Sequence, residues 1–135
     1  MKFIPRIETQ LSVFMENKPG RLAGICSTLA QCGVNIFSLS VHDTVDHAII
    51  RLIVDNPTKA LIMLEEEGLY IITHKVVVVQ IDNRPGCLAE VARKLATADQ
   101  NIQYAYCTSS TNQDAGALVL KTEDAERTLE VMEDF

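Results

Sequence analysis

Apolar residues recur along this chain at two spacings, and the switches between them predict its elements. Residues 11–15, Leu-Ser-Val-Phe-Met, read as a strand. After Pro19-Gly20 the spacing lengthens. Leu22, Ile25, Leu29 and Cys32 then fall on one face of a helix, which Gly33 ends. Residues 35–41 return to period two, with Phe37, Leu39 and Val41 on one face and Ser38 and Ser40 on the other. A polar turn at 43–46 leads into a third strand at 48–54. Asp55-Asn56-Pro57 combines a polar cap with a proline at the first turn, so a second helix is expected over 58–67, closed by Gly68. Residues 69–73 make a fourth strand. The order βαββαβ predicts an α+β ferredoxin-like unit, with helices on one face of an antiparallel sheet.

The second half repeats the first. A strand is expected at 76–81. A helix follows with Leu88, Val91, Leu95 and Ala98 on one face, then a strand at 102–107, a longer hairpin at 109–116, a strand at 117–121, and a helix from 123 to the end. Glu16-Asn17-Lys18-Pro19-Gly20-Arg21-Leu22-Ala23 recurs as Asp82-Asn83-Arg84-Pro85-Gly86-Cys87-Leu88-Ala89, an offset of 66 (17 to 83). The same offset carries Leu29-Ala30 onto Leu95-Ala96 and Asn35-Ile36 onto Asn101-Ile102. A register held through strand, loop and helix marks a duplicated unit. Two units are therefore expected, 8–73 and 74–135, packed as a pseudo-dimer.

The second unit has no fourth strand after its last helix. The same offset applied to 69–73 points to 3–7, so residues 3–7 are expected to supply that edge strand, and Pro5 suits an edge. The alternatives are a loose tail or a strand given to another chain's sheet.

Composition narrows the function classes. At 47% hydrophobic, the 135 residues suffice for two small cores, although units of about 65 residues are marginal alone and favour oligomers. No apolar run reaches the roughly 18 residues of a membrane span, and no secretory leader is visible, so a cytoplasmic chain is expected. A net charge of −6 argues against nucleic acid or an anionic membrane as partner. Cys26, Cys32, Cys87 and Cys107 form no CxxC pair and fit small apolar fillers in a reducing compartment.

The chemistry centres on the repeated loop. Gly20 and Gly86 can adopt positive φ and let a ligand approach the backbone. The N–H groups at a helix start favour a carboxylate. Asn17 and Asn83 can donate and accept. Donors for a carboxylate and acceptors for an ammonium together suit an α-amino acid, with no catalytic group needed.

Asn-x-Pro-Gly-x-Leu-Ala, a helix, then an Asn-Ile before a strand resembles the ACT domain family, and the match occurs twice, over about residues 11–135. The resemblance implies amino-acid binding and metabolic regulation without catalysis or cofactor. It implies side-by-side pairing of units, with ligands between the loop of one and the second strand of its neighbour. The implied ligand positions are Asn17, Pro19, Gly20, Arg21, Leu22, Asn35 and Ile36. Their repeats are Asn83, Pro85, Gly86, Cys87, Leu88, Asn101 and Ile102. The first copy also looks like the start of an acetolactate synthase regulatory subunit, but the second Pro-Gly loop departs from that pattern. Arg21 faces Cys87 in the repeat, and Ser38 and Ser40 face Tyr104 and Tyr106, so the two sites are not equivalent.

Other candidates are weaker. His42, His47 and His74 form no metal-binding spacing. Tyr104 and Tyr106 share a strand face directed away from the helices and suit a dimer interface. Glu65-Glu66-Glu67 reads as a solvated helix end. A Cys87 nucleophile has no base near it in sequence. The expected partners are a small amino acid, a second copy of the chain and an enzyme of amino-acid metabolism. The competing reading is an assembly module with no ligand. A pocket beside Gly20 or Gly86 favours sensing, and a leucine packed into that space favours assembly.

Overall fold

A computed structural model describes residues 5–109 and 114–134. Ten elements follow in order: β1 (Arg6–Glu16), α1 (Arg21–Gln31), β2 (Ile36–Asp43), β3 (His47–Val54), α2 (Pro57–Glu66), β4 (Tyr70–Asp82), α3 (Cys87–Thr97), β5 (Ile102–Ser109), β6 (Ala115–Thr122) and α4 (Ala125–Glu133). The fold is α+β, with four helices and six antiparallel strands in the order β2-β3-β1-β4-β6-β5.

Two strands are longer than the apolar runs that announce them. Residues 11–15 are the inner part of an eleven-residue β1, and 69–73 and 76–81 merge into a thirteen-residue β4. Neither stretch is interrupted by glycine or proline, so nothing stops the ladder from running through Thr73-His74-Lys75. The chain divides into two compact units, Thr9–His74 and Lys75–Phe135, and residues 5–8 go with the second. Of the expected edge strand 3–7, Phe3 and Ile4 lie outside the described residues, β1 begins at Arg6, and Ile7 packs against the second core. The tip of the longer hairpin, 110–113, also lies outside.

The first core is built as the spacing requires. Leu11 and Val13 of β1, Ile50 and Leu52 of β3, Leu29 of α1 and Leu64 of α2 are almost fully buried in one cluster. Leu39 pairs with Leu52 and Val41 with Ile50 on this helix-side face, while Ser40 and Ser12 both pair with Arg51 on the other. The second core repeats the scheme with Val77, Val79, Val91, Leu95, Leu120 and Met132. There Tyr106 pairs with Val119 and Tyr104 with Lys121, on the face turned from the helices, as the alternation predicts.

The copies agree in detail. Each second strand carries an irregularity one residue in, at Phe37 and at Gln103. Asn56 caps α2 by accepting from the Lys59 N–H at 3.1 Å, and Asp124 caps α4 by accepting from the Arg127 N–H at 3.1 Å. These caps stand 68 apart (56 to 124), because the β5–β6 hairpin is two residues longer than its counterpart. One apolar core pair is replaced by a polar one. Val54 and Ala60 of the first unit become Thr122 and Thr128, whose hydroxyls meet at 2.5 Å in full burial.

Candidate functional site

Each loop links the end of a strand to the start of a helix. Gly20 (φ +88°) caps α1 and Gly86 (φ +91°) caps α3, both left-handed and neither assisted by a side-chain bond. A side chain there would be strained, which explains the glycine at both places. The Arg21 N–H bonds Lys18 O at 3.3 Å and the Gly24 N–H bonds Gly20 O at 3.0 Å. The N–H groups of Leu22 and Ala23 lie between them in the first helical turn, where no intrahelical acceptor exists. The second loop repeats this with Cys87 on Arg84 O at 3.3 Å and Glu90 on Gly86 O at 3.0 Å.

The expected ligand residues take different places. The Asn17 side chain donates to Asp43 and to Thr44 O (3.4 Å), and its backbone N–H bonds Asp46 O at 3.3 Å. It therefore ties the loop to the β2–β3 hairpin. The Asn83 N–H makes the matching bond to Asp114 O at 2.7 Å. The Asn35 N–H donates to Asp55 Oδ1 (3.0 Å) and its carbonyl accepts from the Asp55 N–H (3.1 Å), which closes the strand ends beyond α1. Ile36 and Ile102 pack on the first and second cores respectively. Asn101, Pro19 and Pro85 are exposed. Cys87 is turned into the second core, 2% exposed, so its side chain is a packing group. Leu22 and Leu88 stay at the surface, 36% and 48% exposed, and do not fill the loops.

Charges frame the two loops differently. In the first, Glu16 contacts Lys18 at 2.7 Å and Arg21 at 3.7 Å, and the Lys18 hydrogen bond leads in holding its carboxyl below the ordinary range. In the second, Arg84 grips Glu90 through two bonds (3.0 and 3.3 Å) and reaches Asp82 at 3.5 Å. That grip lowers the Glu90 pKa and raises that of Arg84. The partners differ because Glu90 occupies the helix position that Gly24 holds in the first copy (24 to 90).

Beside Gly20 lies a cavity of about 130 Å³. Met15, Ile25 and Leu69 give it an apolar floor, and Arg21 and Glu67 supply opposite charges. Glu67 is held by the Thr28 hydroxyl at 2.5 Å. Neither Gly20 nor Gly24 has an atom within 4 Å of where a Cβ would stand, so space is open above both. Sequence reading missed Met15, Gly24, Ile25, Glu67 and Leu69. The available signal was Gly24, an isolated glycine inside a helical pattern where the repeat has glutamate. A larger cleft of about 440 Å³ lies between α3 and α4 and touches the second loop only through Glu90. Several of its charged residues are engaged locally, Arg127 with Glu130 at 3.1 Å and Lys94 with the Asp134 carbonyl at 3.3 Å. Among the described residues no cluster of His, Cys, Asp and Glu could hold a metal, and no helix is long and apolar enough to cross a membrane.

The fold is shared with solved structures. Protein BT0572 from Bacteroides thetaiotaomicron is 29% identical, with a TM-score of 0.88 over 96% of this chain and 89% of that one. The regulatory subunit of aspartate kinase from Thermus thermophilus, in its ligand-free form, is 18% identical, with a TM-score of 0.72 over 96% and 95%. The corresponding subunit from Thermus flavus is 17% identical, with a TM-score of 0.69 over 99% and 96%. At these lower identities the likeness establishes the fold. No curated protein matches. The family described as an ACT domain pair matches residues 7–134, nearly the whole chain, and this chain belongs to that family.

Proposed function

We propose that this chain is a non-catalytic regulatory module that binds a small amino acid at the Pro-Gly loop and passes its occupancy to an enzyme of amino-acid metabolism. The carrying observation is that Leu22 and Leu88 are exposed and leave the loops open. Left-handed glycines without side-chain caps keep the first-turn N–H groups accessible to a carboxylate. A ligand that prefers one arrangement of the protein shifts the population toward it, and that shift is the signal. The regulatory subunits of aspartate kinase with this fold support the type of partner. Thermal-shift titration with each of the twenty amino acids tests the reading. At least one is expected to raise the melting temperature, and Gly20→Ala is expected to weaken that shift while costing about 1–2 kcal/mol of stability through its φ. A flat response to all twenty at millimolar concentration would discard it.

An assembly role rests on a separate observation and is compatible with sensing. β2 ends the strand order, and its Phe37, Leu39 and Val41 are 59%, 36% and 50% exposed. No Lys, Arg, Asp or Glu interrupts residues 36–42, so nothing guards this edge against pairing. Antiparallel pairing of two copies about Leu39 sets Phe37 of each against Val41 of the other, a self-complementary arrangement. On this reading the chain is a homodimer. Leu39→Lys is then expected to give a monomer by light scattering where the parent chain gives a dimer. A monomeric parent chain removes the assembly reading.

The residues before Thr9 are proposed to complete the second unit in the same chain. This is supported by the packing of Ile7 on the second core.

A further inference from the structure

The two loops share a backbone and differ in what stands over it. In the first unit, α1 presents Gly24 beside Gly20, and the space runs to Glu67 and Leu69 at the end of α2 and the start of β4. In the second unit the place of Gly24 is taken by Glu90, whose carboxylate is drawn across the loop onto Arg84 by two bonds. The position matching Glu67 carries phenylalanine in the sequence, at 135 under the 68-residue offset. At that offset the second copy has no glutamate to match the anionic wall of the first cavity.

We infer that each chain binds a single amino acid, in the first unit only, and that the ligand is a small neutral one. This rests on the amino-acid-binding reading above and names the site and ligand class within it. The cavity holds one cation, Arg21, and one anion, Glu67, matching the carboxylate and ammonium of a zwitterion. With no further charge in its lining and a floor of Met15, Ile25 and Leu69, it offers no partner for a charged side chain. Its volume of about 130 Å³ is that of roughly four waters, well short of the about 300 Å³ at which drug-sized sites begin. Alanine, serine, threonine and valine are of the right scale, while lysine and aspartate are disfavoured by charge and phenylalanine by bulk.

Isothermal titration of the full chain with these seven amino acids provides the test. Heat is expected from one or more of the first four at about one equivalent per chain. Gly24→Glu is expected to weaken that binding by about 10-fold or more, because its carboxylate and bulk enter the cavity beside Arg21. Gly24 is an exposed helical position with open space at its Cβ, so this variant keeps its fold, which an unchanged or higher melting temperature verifies. Glu90→Ala is expected to leave affinity and stoichiometry unchanged. Two equivalents in the parent chain, binding that survives Gly24→Glu, tighter binding of lysine, aspartate or phenylalanine, or loss of binding in Glu90→Ala overturns the inference while leaving amino-acid sensing intact. Absence of heat with all seven also overturns it, and a flat thermal-shift response to all twenty amino acids overturns the sensing reading itself.

Discussion

Ile7→Asp is expected to destabilise the unit Lys75–Phe135 by about 2 kcal/mol, from lost apolar burial and the cost of placing a carboxylate against a hydrophobic core. Ile7 precedes the whole first unit in sequence, yet packs with the cluster of Val77, Val79 and Leu95. Hydrogen exchange is the informative readout. Amides of β4 beyond Lys75 and of α3 and β6 should exchange faster, while those of α1 and β3 keep their protection. Equal acceleration in α1 and β3, or none anywhere, would show that residues before Thr9 do not complete the second unit.

Thr122→Val is expected to cost about 1–3 kcal/mol, because it leaves the buried Thr128 hydroxyl without its partner. The double change Thr122→Val with Thr128→Ala should recover most of that loss. It reproduces the pair Val54 and Ala60, which the first unit buries in the same positions. Removing both partners of a buried hydrogen bond is far cheaper than removing one. Chemical denaturation of the two variants checks this. A double variant less stable than the single one would mean that the hydroxyl pair is worth more than its desolvation.

Much of the fold was legible in the sequence. Helical spacing turns Ile25 and Leu29 inward, alternation puts Leu39 and Ser40 on opposite faces, and Pro57 marks Asn56 as a cap. All of these are decided within a few residues by backbone geometry. The duplication sharpened them, since two copies of Asn-x-Pro-Gly cannot both be chance turns at one offset. The candidate site was only half legible. Gly20 and Gly86 stand out in the sequence, and both have the positive φ that their type suggests. Asn17, read as a ligand group, uses its amide to hold the β2–β3 hairpin. Cys87 shares helical spacing with Val91 and belongs to the core.

The sequence by itself determined that a βαββαβ unit was copied, where its elements fall, and that each copy sets a glycine loop before its first helix. Those are periodic or local signals, carried by side chains close along the chain. Only the tertiary structure decided what meets each loop. Glu67 and Leu69 reach Gly20 and Gly24 because α2 packs beside α1 on the first core, while in the second unit Arg84 closes on Glu90. Contacts between residues far apart in the chain leave no local pattern, so what each loop meets is decided only once the chain is folded.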